Sequence, residues 1–133
     1  MEQRAHFIKK MDDLKVQVLR MSSMAETAMH NSVKALAECN AELAEDVIMN
    51  DIKINELECE LDEHNLSLLA LDQPMARDLR FIVGAMRISS NLERIGDQAV
   101  NLAHRAVFLS TRPPLPFNQQ LDQICTVASD MVS

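Results

Sequence analysis

The sequence predicts an all-α protein: an antiparallel up-down-up bundle of three long helices, followed by a short partial fourth helix. Three observations lead there. The chain has 133 residues, 47% of them hydrophobic, which is the size and apolar content of one domain with a proper core. It has only 2 Gly, 4 Pro and 4 Phe and no Trp or Tyr, so the turn residues and aromatic strand formers of a β fold are missing. Its apolar residues alternate at spacings of three and four over three long stretches, the pattern of a helix stripe packed on other helices.

In the first stretch Met11, Leu14, Val18, Met21, Ala25, Ala28, Ser32, Ala35 and Cys39 form the seam, flanked by Ile8, Met24, Val33 and Leu36. The spacing predicts a helix over about residues 6–40, where Asn40 supplies a break or a cap. A second seam runs Leu43, Val47, Asn50, Ile54, Leu57, Leu61, His64, Leu68 and Leu71, giving a helix over 41–71. It stops at Asp72-Gln73-Pro74, where Asp72 can cap the next helix and Pro74 suits its first turn. The third seam is Phe81, Ala85, Ile88, Leu92, Ile95, Ala99, Leu102, Ala106 and Leu109, for a helix over 75–111. Short connections make neighbouring helices antiparallel, and at ~1.5 Å per residue each is on the order of 50 Å long.

Residues 1–111 therefore form the bundle. Thr111-Arg112-Pro113-Pro114-Leu115-Pro116 cannot continue a helix, so 112–117 reads as a stiff proline-rich linker. Beyond it, Leu121, Ile124, Cys125, Ala128 and Met131 resume a helical stripe over 118–133. It reads as the partial first helix of a second, truncated repeat, or as a short helix folding back on the bundle.

A net charge of −7, from 20 acidic and 13 basic residues, repels phosphate backbones and argues against a nucleic-acid partner. No stretch approaches the ~18 apolar residues of a membrane span, and the N-terminus lacks the apolar core of a secretory signal, so a cytoplasmic protein is expected. Cys39, Cys59 and Cys125 are odd in number and have no C-x-x-C spacing, so they are expected to be buried apolar side chains in a reducing compartment. There is no Walker A motif, no G-x-S-x-G and no E-x-x-H pair of the di-iron bundles. His6, His30, His64 and His104 are scattered, each expected to be satisfied or solvated rather than a metal ligand. The chain is not expected to be an enzyme.

The chemistry concentrates beside the third seam. In LERIGDQAVNLAHR, Glu93 and Asp97 are four apart and share a helix face, with Cβ atoms roughly 6 Å apart. Like charges at this spacing disfavour the helix, as does the intervening Gly96, which leaves room for a neighbouring helix or a ligand to approach. Laying the second helix against the third around the Gln73 turn pairs residues whose numbers sum to about 148. Asp51 then faces Asp97 and Asn55 faces Glu93, a patch of oxygen donors suited to Mg²⁺, Mn²⁺ or Fe³⁺ better than to structural zinc. One turn on, Glu58 and Asp62 repeat the spacing. The plainer alternative is a solvated acidic flank. A basic stripe, Arg80, Arg87 and Arg94, recurs every seven residues, with Arg77 and Arg105 nearby; it reads as a solvated face paired with acids of the neighbouring helix, or as a docking surface for a partner.

The segment QPMARDLRFIVGAMRISSNLERIGDQAVNLAHR, Gln73 to Arg105, resembles the PhoU family of phosphate-signalling proteins. Pro74, Ala76, Asp78, Leu79 and Arg80 fit the family's x-P-x-A-x-D-L-R opening. Leu92, Glu93, Arg94, Ile95, Gly96, Asp97, Ala99, Asn101 and Ala103 fit its L-E-R-I-G-D-x-A-x-N-I-A run, with Leu102 in place of Ile. The stretch from about Phe7 to Leu109, including DIKINELECELD, also fits the family's three-helix repeat. The resemblance implies tandem bundles, of which this chain would hold the first, and a metal-cluster role for Glu93 and Asp97. It places Asp51 and Asn55 at the matching position, although Asn55 departs from a carboxylate. Iron, zinc, manganese and magnesium are the candidate ions. The resemblance further implies a negative regulator of phosphate uptake and phosphate-starvation signalling. Its expected partners are the ATP-binding subunit of a phosphate ABC transporter and a phosphate sensor histidine kinase, and an exposed apolar tail would favour a homodimer. The alternatives are a metal-carboxylate helical-bundle enzyme and a metal-free structural helical adaptor.

Overall fold

A computed structural model describes residues 2–72, 74–111 and 131 and contains three helices: α1 (Glu2–Glu38), α2 (Ala41–Leu71) and α3 (Ala76–Ser110). They form the expected up-down-up bundle, each helix packed on the other two. The proposed linker at 112–117 and the partial helix at 118–133 lie outside the described residues, apart from an exposed Met131.

Leu14, Met21 and Ala25 of α1, Ile54, Leu61 and Leu68 of α2, and Ile82, Ala99 and Ala106 of α3 are among the core residues. The α1 seam is buried as expected from Met11 to Ala35 except for a half-buried Val18. In α2, Asn50 and Leu71 of the expected seam are exposed, while Ala44 and Asn65 are buried. The α3 seam is the largest departure. Ala85, Leu92, Ala99 and Ala106 are buried as expected, but the intervening positions are Ile82, Ser89, Gly96 and Ala103. Phe81, Ile88 and Leu109 are exposed instead. Ser89, Gly96 and Ala103 are small and let the helices approach closely, which leaves Ile88 exposed and Ile95 and Leu102 half-buried beside them.

Polar contacts fix the register. Lys10 Nζ donates to Asp72 Oδ2 at 3.0 Å, and His64 Nδ1 lies 2.8 Å from Gln17 Oε1, aligning α1 antiparallel to α2. Ser89 Oγ lies 3.6 Å from Met21 Sδ, aligning α1 parallel to α3.

The first turn is a two-residue device. Cys39, at φ 53°, occupies the left-handed position after α1; its N–H donates to Leu36 O at 3.4 Å and that of Asn40 to Ala35 O at 2.9 Å. This is a Schellman closure with cysteine where glycine is favoured. Asn40 then caps α2, its Oδ1 accepting from the Leu43 N–H at 3.2 Å. The second turn differs from the one the sequence predicts. Asp72 ends α2 and pairs with Lys10 rather than capping α3, whose cap position is Met75, and Pro74 precedes the helix instead of entering its first turn. The cysteine expectation is corrected too: Cys39 and Cys59 are exposed, and Cys125 lies outside the described residues.

Candidate metal centre

The site is built where α2 and α3 come closest. Gly96 is buried against α2, and a Cβ added there would stand 3.1 Å from Asp51 Oδ1 and 3.6 Å from two Ile54 carbons. The antiparallel register is therefore the expected one, with Asp51 beside the Gly96-Asp97 step. Gly96 serves the approach of a neighbouring helix, one of the two uses its missing side chain allowed.

Around this contact the carboxylates perturb one another. Glu93 is held above its ordinary proton affinity first by a side-chain hydrogen bond with Asp97, then by partial burial and by the charges of Asp97, Glu58 and Asp51. Burial and then the Asp97 charge raise Asp51; the Asn55 amide, donating to Asp51 Oδ2 at 3.4 Å, works the other way. Burial, Asp62 and Asp97 raise Glu58. Like charges and partial desolvation both disfavour ionisation, so this face resists carrying its full negative charge.

The structure thus brings Asp51, Glu93 and Asp97 into mutual electrostatic reach across two helices and ties Asn55 to Asp51. Asn55 and Asp97 are exposed, while Asp51, Glu58 and Glu93 are half-buried. Among the described residues no three His, Cys, Asp or Glu side chains form a ready ligand set for one ion. Glu58 joins the electrostatic group, although its position pairs with residue 90 in the register. Its place seven residues after Asp51, on the same face, is the signal that marks it.

Of the four histidines, His64 meets Gln17, and His6, His30 and His104 are exposed. Arg80, Arg87 and Arg94 are all exposed. The expected pairing with neighbouring acids is not found: none of the three forms an ion pair among the described residues, where Lys10 pairs with Asp72. The arginine stripe lies away from the carboxylates' contact with α2. No described helix is long and apolar enough to cross a membrane.

Comparison with known proteins follows the same lines. The family model described as the PhoU domain matches residues 18–106. The phosphate-specific transport system accessory protein PhoU homolog of Aquifex aeolicus (strain VF5) is 38% identical over 125 residues, covering 94% of this chain and 57% of the relative. Its counterpart in Xylella fastidiosa (strain 9a5c) is 35% identical over 131 residues, 96% of this chain and 55% of the relative. The crystal structure of PhoU from Pseudomonas aeruginosa superposes with a TM-score of 0.89 at 32% identity, covering 95% of this chain and 61% of that one. The chain thus spans about half the length of the curated relatives it matches.

Proposed function

The chain belongs to the PhoU family, and from that premise we propose that it is a cytoplasmic negative regulator of phosphate uptake and phosphate-starvation signalling. It acts by cation-dependent contact with other proteins and not by catalysis. Its relatives' names, accessory proteins of a phosphate-specific transport system, support the phosphate setting. One observation carries the mechanism: Asp51 of α2 stands against Gly96 of α3, beside Asp97, and the carboxylates around that contact are held above the ordinary range, Asp51 and Glu58 first by burial and then by neighbouring carboxylates, Glu93 first by its hydrogen bond with Asp97.

Asp51, Glu93 and Asp97 would hold the ion, with Asn55 and Glu58 beside them. Oxygen donors of this kind suit iron, manganese or magnesium, with zinc the less favoured choice. A bound cation would supply the positive charge that lets the carboxylates ionise together and would join α2 to α3 at their outer edge. The exposed arginines Arg80, Arg87 and Arg94, which form no ion pair among the described residues, offer a docking face for the ATP-binding subunit of a phosphate ABC transporter and for a phosphate sensor histidine kinase. A homodimer belongs to the same reading.

The test is genetic complementation. Deleting the gene is expected to leave a phosphate-starvation reporter active in phosphate-rich medium. The wild-type gene should restore repression, whereas Asp51→Asn/Asp97→Asn and Arg80→Glu/Arg87→Glu should not. A reporter that stays repressed in the deletion strain contradicts the regulatory role, and repression restored by Asp51→Asn/Asp97→Asn contradicts the cation's part in it. The second reading is a metal-free helical adaptor, favoured by the lack of three converged ligands among the described residues; elemental analysis of protein purified without chelator separates the two.

A further inference from the structure

One end of the bundle holds a cavity of about 520 Å³, within the roughly 300–1,000 Å³ of small-molecule sites. It lies where the first turns of α1 meet the connection from α2 to α3, and the ion pair of Lys10 with Asp72 ties these parts together. Phe7 and Ile8 of α1, Leu71 of α2, and Pro74 and Met75 ahead of α3 supply its apolar lining. Ile8 is 51% exposed, Leu71 75% and Met75 80%, so the apolar body of a ligand finds large side chains to cover. Leu71 is twenty residues from Asp51, about 30 Å along α2 at ~1.5 Å per residue, which separates the cavity from the crowded carboxylates.

Two side chains of opposite charge line the same cavity, Arg4 from α1 and Asp78 from the first turn of α3. Neither forms an ion pair among the described residues, whereas Asp72, the other carboxylate on the lining, is already neutralised by Lys10 at 3.0 Å. His6 lines the cavity from the same helix as Arg4 and carries a ring N–H in either tautomer. A simple anion placed here would meet the Asp78 carboxylate as well as Arg4, and a simple cation would meet Arg4 as well as Asp78. A ligand that carries both charges on an apolar body avoids both conflicts.

We propose that this end cavity binds a small zwitterion with an apolar side chain, a free amino acid or short peptide of the leucine type. Arg4 receives the carboxylate and Asp78 the ammonium, each through charge-assisted hydrogen bonds. The ligand's side chain rests on Phe7, Leu71 and Met75. Bound in this way, the molecule joins the start of α1 to the start of α3 across the end of α2. The site depends neither on the cation at Asp51 nor on the regulatory role.

Titration of the isotope-labelled full chain, followed by nuclear magnetic resonance, tests this with L-leucine, L-leucyl-L-leucine and three partial ligands. Isoamylamine lacks the carboxylate, isocaproate lacks the ammonium and glycine lacks the side chain. At least one of the two leucine zwitterions should shift the amide signals around Phe7 and Met75 and leave those of Asp51 and Glu93 in place. Tighter binding of leucine marks a free amino acid as the ligand, tighter binding of the dipeptide a peptide. Each partial ligand should bind at least about tenfold more weakly. Arg4→Gln should weaken the zwitterion about tenfold without weakening isoamylamine, and Asp78→Asn should weaken it as much without weakening isocaproate. Circular dichroism checks the fold, Asp78→Ser replaces Asp78→Asn if that variant loses helicity, and the ligand series on the wild type stands without either. Zwitterions that shift no signal at this end, a partial ligand that binds as tightly as they do, or a folded variant with wild-type affinity overturns the proposal.

Discussion

Gly96 and Asp51 are in direct apposition: any side chain at position 96 would begin 3.1 Å from Asp51 Oδ1. A poor helix former thus sits where α2 and α3 must touch, and the carboxylate it admits belongs to the group whose ionisation is suppressed.

The two helical glycines should consequently respond differently to alanine. A Cβ added at Gly84 would meet nothing within 4 Å, so Gly84→Ala should raise stability by about 0.5–1 kcal/mol through helix propensity alone. Gly96→Ala gains the same propensity but must displace the Asp51 side chain by a few tenths of an ångström. Its stability gain should be smaller or absent. Urea midpoints of the two variants against the wild type check this.

Acidification provides a second prediction with a definite sign. Asp51, Glu58 and Glu93 all titrate higher in the folded protein than in the unfolded chain, where values of about 3.9 for Asp and 4.3 for Glu apply. Between the ordinary and the raised values the folded state binds more protons, so the contribution of these groups to stability falls as pH rises through that window. Above it they destabilise. Asp51→Asn and Glu93→Gln should therefore be more stable than the wild type at about pH 7 and lose that advantage near about pH 4, as read from urea midpoints at both pH values.

The turn between α1 and α2 holds one strained and one well-chosen residue. Cys39 at φ 53° adopts a conformation that glycine enters freely, so Cys39→Gly should stabilise by about 0.5–1 kcal/mol. Asn40→Ala removes the acceptor for the Leu43 N–H and should destabilise by about 1 kcal/mol. Thermal melts of the two single variants test both signs.

In the core, Asn65 is fully buried and neither polar atom of its amide has a hydrogen-bond partner among the described residues. An unsatisfied buried amide costs about 1–3 kcal/mol. Asn65→Leu, similar in size, should raise the urea midpoint by an amount worth about 1–2 kcal/mol at unchanged slope. An unchanged or lower midpoint would show that the amide serves the packing.

Much of this arrangement is legible in the sequence because periodicity and a short turn determine it. The short connection between the second and third helices sets the antiparallel register, which is enough to place Asp51 beside Gly96 and Asp97 without coordinates. The α3 seam is not legible to the residue, because Ser89, Gly96 and Ala103 look like surface positions while Phe81 and Ile88 look like core. Close helix packing favours small size over hydrophobicity at those positions, and no count of apolar spacing carries that preference. The exposure of Cys39 is hidden for a similar reason: it continues the heptad, yet the helix has already ended one residue before it. Glu58 is legible by its spacing, seven residues after Asp51 on the same face, whereas the antiparallel register alone pairs it with residue 90 and leaves it out of the group.

The central claim, that the crowded carboxylates between α2 and α3 bind a cation, is tested most directly by metal stoichiometry. Chelator-stripped protein would be titrated with Fe³⁺, Mn²⁺, Mg²⁺ and Zn²⁺, dialysed and analysed for metal, beside Asp51→Asn/Glu93→Gln/Asp97→Asn treated identically. The wild type should retain at least one of these ions and melt at a higher temperature with it, while the triple variant retains none and is unaffected. A wild type that stays metal-free with all four ions, or a triple variant that binds equally well, would contradict the claim.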